Sequence, residues 1–475
     1  MNNTIHKIIT CATAVLALSV FLKAGMSAEA AGEIYVNDGQ SILGGSISSA
    51  YAIGGDGSVS PVGDSYVVSG SGVTKLGVAP DPGGDDGTTV KIKTETVRVG
   101  LNYYFSSRDS SLDSANLQNK VGSGYQFGYY DAGRNFNSLG GTTENKITMT
   151  PDGAGQGVKV TQTDTGRVLY VHGGGNGTKL AVRPVSNGGK AETWFKGHSY
   201  YGDFEYFRYI NERLTVVNIL NVEDYIKGVI TREMSPSWPI EALKAQALCA
   251  RSYFYQGLGS TYTKYGFDLT ADTNSQAYLG TDIQSANSNA AVDATAGQYI
   301  TYNGRVIEAL YSSSSGGATE DSENVWGNMV PYLRGVQDPY HEEIPDSMND
   351  KKSWRYEWTG EQIAAKLGNK IGAVVSAIPE YSRSGNCIKI TFTDAAGASA
   401  VVERDGGCRT KMGLPSIHYT VQKIGDNFVF EGGGWGHNLG MSQFGAYAMA
   451  KNHGMNANQI IKFYFTGVGI SKGVL

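Results

Sequence analysis

Cysteine is scarce: there are four in 475 residues, with no Cys-x-x-Cys pair and no His/Cys cluster. Nothing in that pattern signals a metal site, and no cofactor is expected. Cys11 falls in the N-terminal apolar segment, and Cys249 lies in an Ala-rich stretch as a small apolar residue. Cys387 and Cys408 flank an expected hairpin; they can pair in an oxidising compartment or stay thiols, and sequence leaves that open. Charge is also sparse, at 17% with a net charge of -5, and no concentrated basic surface invites nucleic acid. Beyond the first thirty residues there is no long apolar run, so the remainder is expected to be soluble.

What is present begins with a secretory layout. Lys7 precedes an apolar run from Ile8 to Leu22, and Ala28-Glu29-Ala30 supplies a small-x-small cleavage site. The expectation is a signal peptide over residues 1–30 and an extracytoplasmic protein. Membrane attachment follows only if that segment is retained. Glycine reaches 64 residues and tyrosine 29. Aromatic rings suit sugar stacking, although half-buried sheet positions account for most of them.

Residues 31–89 read as a Gly/Ser-rich segment ending in the linker Pro80-Asp81-Pro82-Gly83-Gly84-Asp85-Asp86-Gly87. From Val90 the alternation Thr96-Val97-Arg98-Val99 and recurrent glycine turns predict a β-rich accessory domain over 90–215. Helices are expected over Asn221–Lys227, stopped by Gly228, and from Pro239 to Gln256. Others are expected at Ala290–Ala296, Glu361–Leu367, Met441–Asn452 and Ala457–Phe465, with Asn456 as the last N-cap. Strands are expected at Val306–Tyr311, Ile388–Thr393, Ala400–Glu403 and Phe428–Phe430. Strands and helices mix without a βαβ repeat, so the class is α+β: a β-rich N-terminal half and a mixed catalytic region, 216–475, forming one elongated body with a substrate groove.

The densest chemical signal is Thr231-Arg232-Glu233-Met234-Ser235-Pro236-Ser237-Trp238-Pro239. An acid held beside apolar and aromatic groups has its pKa raised, and glycosidic cleavage needs a carboxylic acid to protonate the leaving oxygen. On the next helix Lys244 and Arg251 stand seven apart and share a face. They are either partners in a buried ion-pair network, with Glu223 or Asp224, or a cationic face turned to an anionic ligand beside Glu233. Tyr311-Ser312-Ser313-Ser314-Ser315-Gly316-Gly317 ends a strand in a row of hydroxyls, as a solvated turn or a site. Gly432 to Ala446 joins a strand to a helix, with Trp435 as a stacking or core ring and His437, Ser442 and Gln443 as hydrogen-bonding groups. Its glycine spacing misses the dinucleotide fingerprint by one residue, and Ser442 lacks the spacing of a serine-hydrolase elbow.

These residues resemble the stage II sporulation protein D and amidase-enhancer family. The resemblance is carried by Val222-Glu223-Asp224-Tyr225-Ile226-Lys227-Gly228-Val229, Glu233-Met234, Trp238-Pro239, Glu241-Ala242-Leu243-Lys244-Ala245-Gln246-Ala247 and Ala250-Arg251, with Ser314-Ser315-Gly316-Gly317, Pro331-Tyr332-Leu333 and the Gly436–Ala446 block. It implies a lytic transglycosylase acting on peptidoglycan strands stripped of stem peptides and leaving 1,6-anhydromuramic ends. In that reading Glu233 is the acid, while Lys244 and Arg251 contact substrate; Gln246, Tyr311, Ser314, Ser315, Trp435, His437, Ser442 and Gln443 are further candidate substrate contacts. The alternative it implies is a non-enzymatic glycan-binding enhancer of a partner amidase. Some relatives hold zinc with two cysteines where this chain reads Phe267 to Tyr278; no cysteine stands there, so no zinc is expected.

Overall fold

The computed structural model describes residues 87–475, apart from 106–107, 154, 211, 260 and 273, together with five short strands between 34 and 76. The expected signal segment lies outside the described residues. The chain divides into two units, Met1–Pro82 and Gly83–Leu475. In the first, Ile34–Asn37, Ala50–Ile53 and Val59–Val62 form an antiparallel sheet, and Ser65–Ser69 pairs with Gly72–Leu76.

The second unit mixes sheets with seven helices among the described residues: α1 (Val222–Glu233), α2 (Ile240–Gly257), α3 (Ala286–Ala294), α4 (Ser322–Trp326), α5 (Gly360–Lys366), α6 (Gln443–His453) and α7 (Ala457–Tyr464). It is an α+β fold. A seven-stranded sheet runs in the order Phe136–Thr142, Gly122–Tyr130, Leu180–Ser186, Asp203–Arg208, Leu214–Asn221, Thr96–Asn102, Leu269–Thr270. All its pairs are antiparallel except the last. The alternation read at Thr96–Val99 is real: Val97 and Val99 are buried, while Thr96 and Arg98 are half-exposed. A six-stranded antiparallel sheet built between Ala115 and Tyr200 shares one core with it, through Leu117, Phe127, Ile147, Val158, Leu180 and Phe204.

The boundary expected at 215/216 does not separate cores. Leu214–Asn221 runs directly into α1, whose Val222, Tyr225, Ile226, Val229 and Ile230 bury in the β-rich core. Ala247, Ala250 and Phe254 of α2 join them there, whereas Ala242, Leu243, Ala245, Leu248 and Cys249 bury in a second core with α6, α7 and the later strands. The ends of the unit also meet, since Thr89–Lys91 pairs in parallel with Gly469–Val474.

Local signals explain most helix ends. Asn221 caps α1 by accepting the Glu223 N–H at 2.8 Å, and Asn456 caps α7 by accepting the Gln459 N–H at 3.0 Å. One expectation fails: α1 runs through Gly228 to Glu233. A Cβ at Gly228 would stand 2.6 Å from both the Gly280 carbonyl oxygen and the Tyr278 ring, so this glycine serves close packing, not termination. The strand expected at Val306–Tyr311 is broken into Arg305–Val306 and Tyr311–Ser312. Met441–Ser442, expected to open α6, instead pairs in parallel with Tyr311–Ser312. Those two extended residues aim Tyr311 and α6 at the same place.

Candidate active site

Glu233 is the last residue of α1. The turn after it, Ser235 to Pro239, is pinned by Asn287, whose amide donates to the Pro236 and Trp238 carbonyls at 2.8 and 3.1 Å. Trp238 packs on Phe444 and Tyr447 of α6, with ring centroids 4.9 and 5.1 Å apart. The acid is thereby fixed between a helix end and a second helix.

Its carboxylate accepts from the Gln443 amide at 3.3 Å, which also donates to Gln246 Oε1 at 3.3 Å. Gln246 is fully buried and leaves its own amide nitrogen without a partner among the described residues. On the other side the Tyr311 hydroxyl hydrogen-bonds to Glu233. That hydroxyl accepts from Gln276 at 3.0 Å, and Gln276 accepts from Tyr225 at 3.1 Å. The polarity of the chain is therefore set: Tyr225 donates to Gln276, Gln276 to Tyr311, and Tyr311 to the acid. Burial pushes the Glu233 pKa above the ordinary carboxylate range, while Gln443, Tyr311 and the Ala277 backbone pull it partly back. Both protonation states are thus provided for. Tyr253 lies within electrostatic reach of both Glu233 and Glu308, and it lines a cavity of about 250 Å³ with Tyr262, Asp268 and Glu308.

The two cations stand elsewhere. Arg251 is fully buried and grips Glu223 with two nitrogens, at 2.9 and 2.6 Å, while a third donates to the Gln298 carbonyl at 3.2 Å. From Glu223 to Glu233 the helix rises about 15 Å at its usual pitch, so this guanidinium is not beside the acid. Of the two readings open for Arg251, the structure has the buried ion pair. Lys244 pairs with Glu241 at 2.7 Å. Gln246, two residues on, faces Gln443, and positions two apart on a helix point about 200° apart.

Gln246, Tyr311 and Gln443 therefore gather at Glu233, and the other expected contacts do not. Ser314 and Ser315 are fully buried: Ser314 accepts from Asn349 at 3.2 Å, and Ser315 donates to Asp338 at 2.7 Å. Ser442 is the N-cap of α6, accepting the Gly445 N–H at 3.1 Å. The hydroxyl row is framework. The glycines of the Gly432–Gly436 run serve framework too, since a Cβ at Gly434 would meet the Gly316 nitrogen at 2.6 Å. His437 accepts the Leu439 N–H at 3.0 Å through Nδ1 and hydrogen-bonds to the Tyr311 backbone; burial lowers its pKa to about 4, so it is neutral at physiological pH. Trp435 is half-exposed.

Sequence reasoning missed Gln276 and Tyr225, which orient Tyr311. Gln276 stands in the segment read only for its missing cysteines. That segment does not fit zinc: it offers no thiol or imidazole, and the Asp272 carboxylate is occupied by Tyr103 at 2.6 Å, Arg108 at 2.8 Å and Thr270 at 3.0 Å.

Fold and site together define an α+β protein with a desolvated acid whose protonated form is favoured by burial and whose anion is favoured by hydrogen-bond donors. The stage II sporulation protein family profile matches residues 210–302, the span containing Glu233, Gln246 and Gln276. Over 273 residues the chain is 33% identical to stage II sporulation protein D of Bacillus subtilis, covering 54% of this chain and 76% of that one. It is 36% identical over 284 residues to an uncharacterized protein of Brachyspira hyodysenteriae, covering 58% and 73%. The Bacillus subtilis amidase enhancer is 31% identical over 291 residues, covering 52% of this chain and 40% of its own length. The chain belongs to the stage II sporulation protein D family.

Proposed function

We propose that this protein is a lytic transglycosylase that acts outside the cytoplasm on peptidoglycan strands stripped of their stem peptides. The observation that carries the reading is the state of Glu233: burial raises its pKa, while Gln443 and Tyr311 stand ready to receive its anion. Such a group donates a proton and then takes one back. In the first half, Glu233 protonates the glycosidic oxygen between muramic acid and glucosamine as that C–O bond breaks. In the second, its carboxylate removes the proton of the muramic 6-hydroxyl as that oxygen closes on the anomeric carbon. One C–O bond breaks, one forms, the acid is regenerated, and no water is consumed. A two-carboxylate hydrolase would need a second acid facing the same bond; the candidate is Glu308, which like Glu233 lies within electrostatic reach of Tyr253.

The test is release of 1,6-anhydromuramic ends from peptide-free glycan, read by mass spectrometry. Glu233→Gln should keep the fold and lose roughly 10²- to 10⁴-fold in rate. Wild-type cleavage persisting in that variant would remove Glu233 from the role. The relative named as an amidase enhancer motivates a second reading, a glycan-binding module that stimulates a partner amidase. It predicts no anhydro product from wild type, and faster stem-peptide release when an amidase is added.

A further inference from the structure

Three segments meet around His437. Trp326 ends α4 and packs on His437 with ring centroids 5.4 Å apart. His437 in turn holds the Tyr311 backbone, and the Tyr311 hydroxyl holds Glu233. Two residues before His437, Trp435 lies half-exposed with the Lys351 ammonium 5.5 Å from its ring. Trp326 is 48% exposed and Met329 58%, so the end of α4, like Trp435, shows a large apolar side chain to solvent in a protein that buries most of its large rings. The third segment brings a cation. The Arg404 guanidinium lies over Gly327, where a Cβ would meet its Nη1 at 2.8 Å. Arg404 sits in left-handed backbone at φ 58°, which non-glycine residues rarely adopt. It is exposed, with no ion pair and no hydrogen bond among the described residues. Its neighbours Asp405 and Arg409 pair with each other.

We infer that Trp326 and Trp435 form a stacking platform for sugar rings of the glycan, and that Arg404 binds a muramic lactyl carboxylate there. The inference rests on the proposed activity for its choice of ligand. Indoles present apolar faces to the C–H faces of a sugar ring, and an unpaired guanidinium takes a carboxylate through two parallel hydrogen bonds. His437 is neutral and cannot supply that charge, while Lys244 and Arg251 are spent on Glu241 and Glu223. Arg404 therefore takes the part that sequence had assigned to those two cations. A stem peptide would convert the carboxylate into an amide and leave Arg404 unpaired, which makes this the place where stripped strands are recognised.

The experiment uses the full chain carrying Glu233→Gln, so that nothing is cleaved, and titrates two probes by calorimetry. One is the neutral hexasaccharide of N-acetylglucosamine; the other is a peptide-free peptidoglycan fragment of equal length with lactyl carboxylates. Trp326→Ala should weaken both by about fivefold or more, the ordinary cost of truncating an anchoring aromatic. Arg404→Ala should weaken the carboxylate-bearing probe by about tenfold and leave the neutral one unchanged, with partial recovery in Arg404→Lys. Equal effects of Arg404→Ala on both probes, no effect on either, or no binding of either probe would overturn the inference. Cleavage is read separately: a chain that binds in this pattern yet yields no anhydro product sinks the proposed reaction and keeps the platform. A chain that cleaves but binds indifferently to Arg404 does the reverse.

Discussion

Replacing Arg251 separates its two possible roles by magnitude. The guanidinium is fully buried and makes bonds to Glu223 and to the Gln298 carbonyl. Removing one partner of a buried pair costs about 3–5 kcal/mol, because the remaining charge is left without compensation. Here the remaining charge is Glu223, whose side chain is 24% exposed and keeps the Gly297 N–H at 2.9 Å. Water can reach it, so the lower end, about 3 kcal/mol, is expected for Arg251→Ala. Glu223→Gln should cost more, since it strands a cation with no exposure at all. The double variant Glu223→Gln/Arg251→Met removes both charges and should recover most of the loss, giving a clear coupling energy. Equilibrium unfolding of the full chain in urea measures all three. A loss below about 1 kcal/mol in Arg251→Ala, with altered glycan affinity, would refute the structural role and return Arg251 to the ligand.

Three further outcomes follow. Glu233 has a folded pKa above its unfolded value, so its contribution to stability is complete below about pH 4.3 and is lost as pH rises through the folded pKa; Glu233→Gln should therefore be more stable than wild type at neutral pH, with the gain gone near pH 4 in paired melting curves. Gly228→Ala should destabilise by about 1–3 kcal/mol despite alanine's higher helix propensity, because its methyl meets the Gly280 carbonyl and Tyr278; an increase in unfolding midpoint would contradict the packing argument. Cys387 and Cys408 are buried thiols in contact, so refolding with an added disulfide oxidant should make the chain two hydrogen atoms lighter and more stable by roughly 3 kcal/mol, and an unchanged intact mass would refute the pairing.

Signals that act within a few residues were legible in the sequence. The cap Asn456, the alternation at Thr96–Val99, and the stiff segment carrying Glu233 all depend on neighbours in the chain. What failed depended on partners far along it. Gly228 carries the same letter whether it ends a helix or admits Tyr278 fifty residues away, and only the fold distinguishes the two. The seven-residue spacing of Lys244 and Arg251 implies a shared direction on a helix, but periodicity does not reveal that Glu241 and Glu223 pair with them. The hydroxyls of Ser314 and Ser315 looked like a polar surface because their acceptors and donors, Asp338 and Asn349, come from a separate segment. Gln276 gave no signal, since an amide between two tyrosines has no local motif.

The position of Glu233 ties its acidity to the docking of the two cores. The acid itself comes from α1, which buries in the β-rich core, while its amide donor Gln443 opens α6, which buries in the other. Between them runs α2, whose alanines face both sides: Ala247 and Ala250 toward one core, Ala242 and Ala245 toward the other. Small side chains let the helix serve as a shared wall, and Gln246 emerges from it to hold Gln443. Any change that slides the cores past each other along α2 lengthens the Glu233–Gln443 contact of 3.3 Å and weakens the donor that favours the anion. The desolvation that raises the pKa remains, so the acid would become weaker and, in the proposed reaction, its first step, proton donation to the leaving oxygen, would suffer first. Substitutions at the α2 seam should accordingly alter the pH profile of cleavage before they alter the protein's stability.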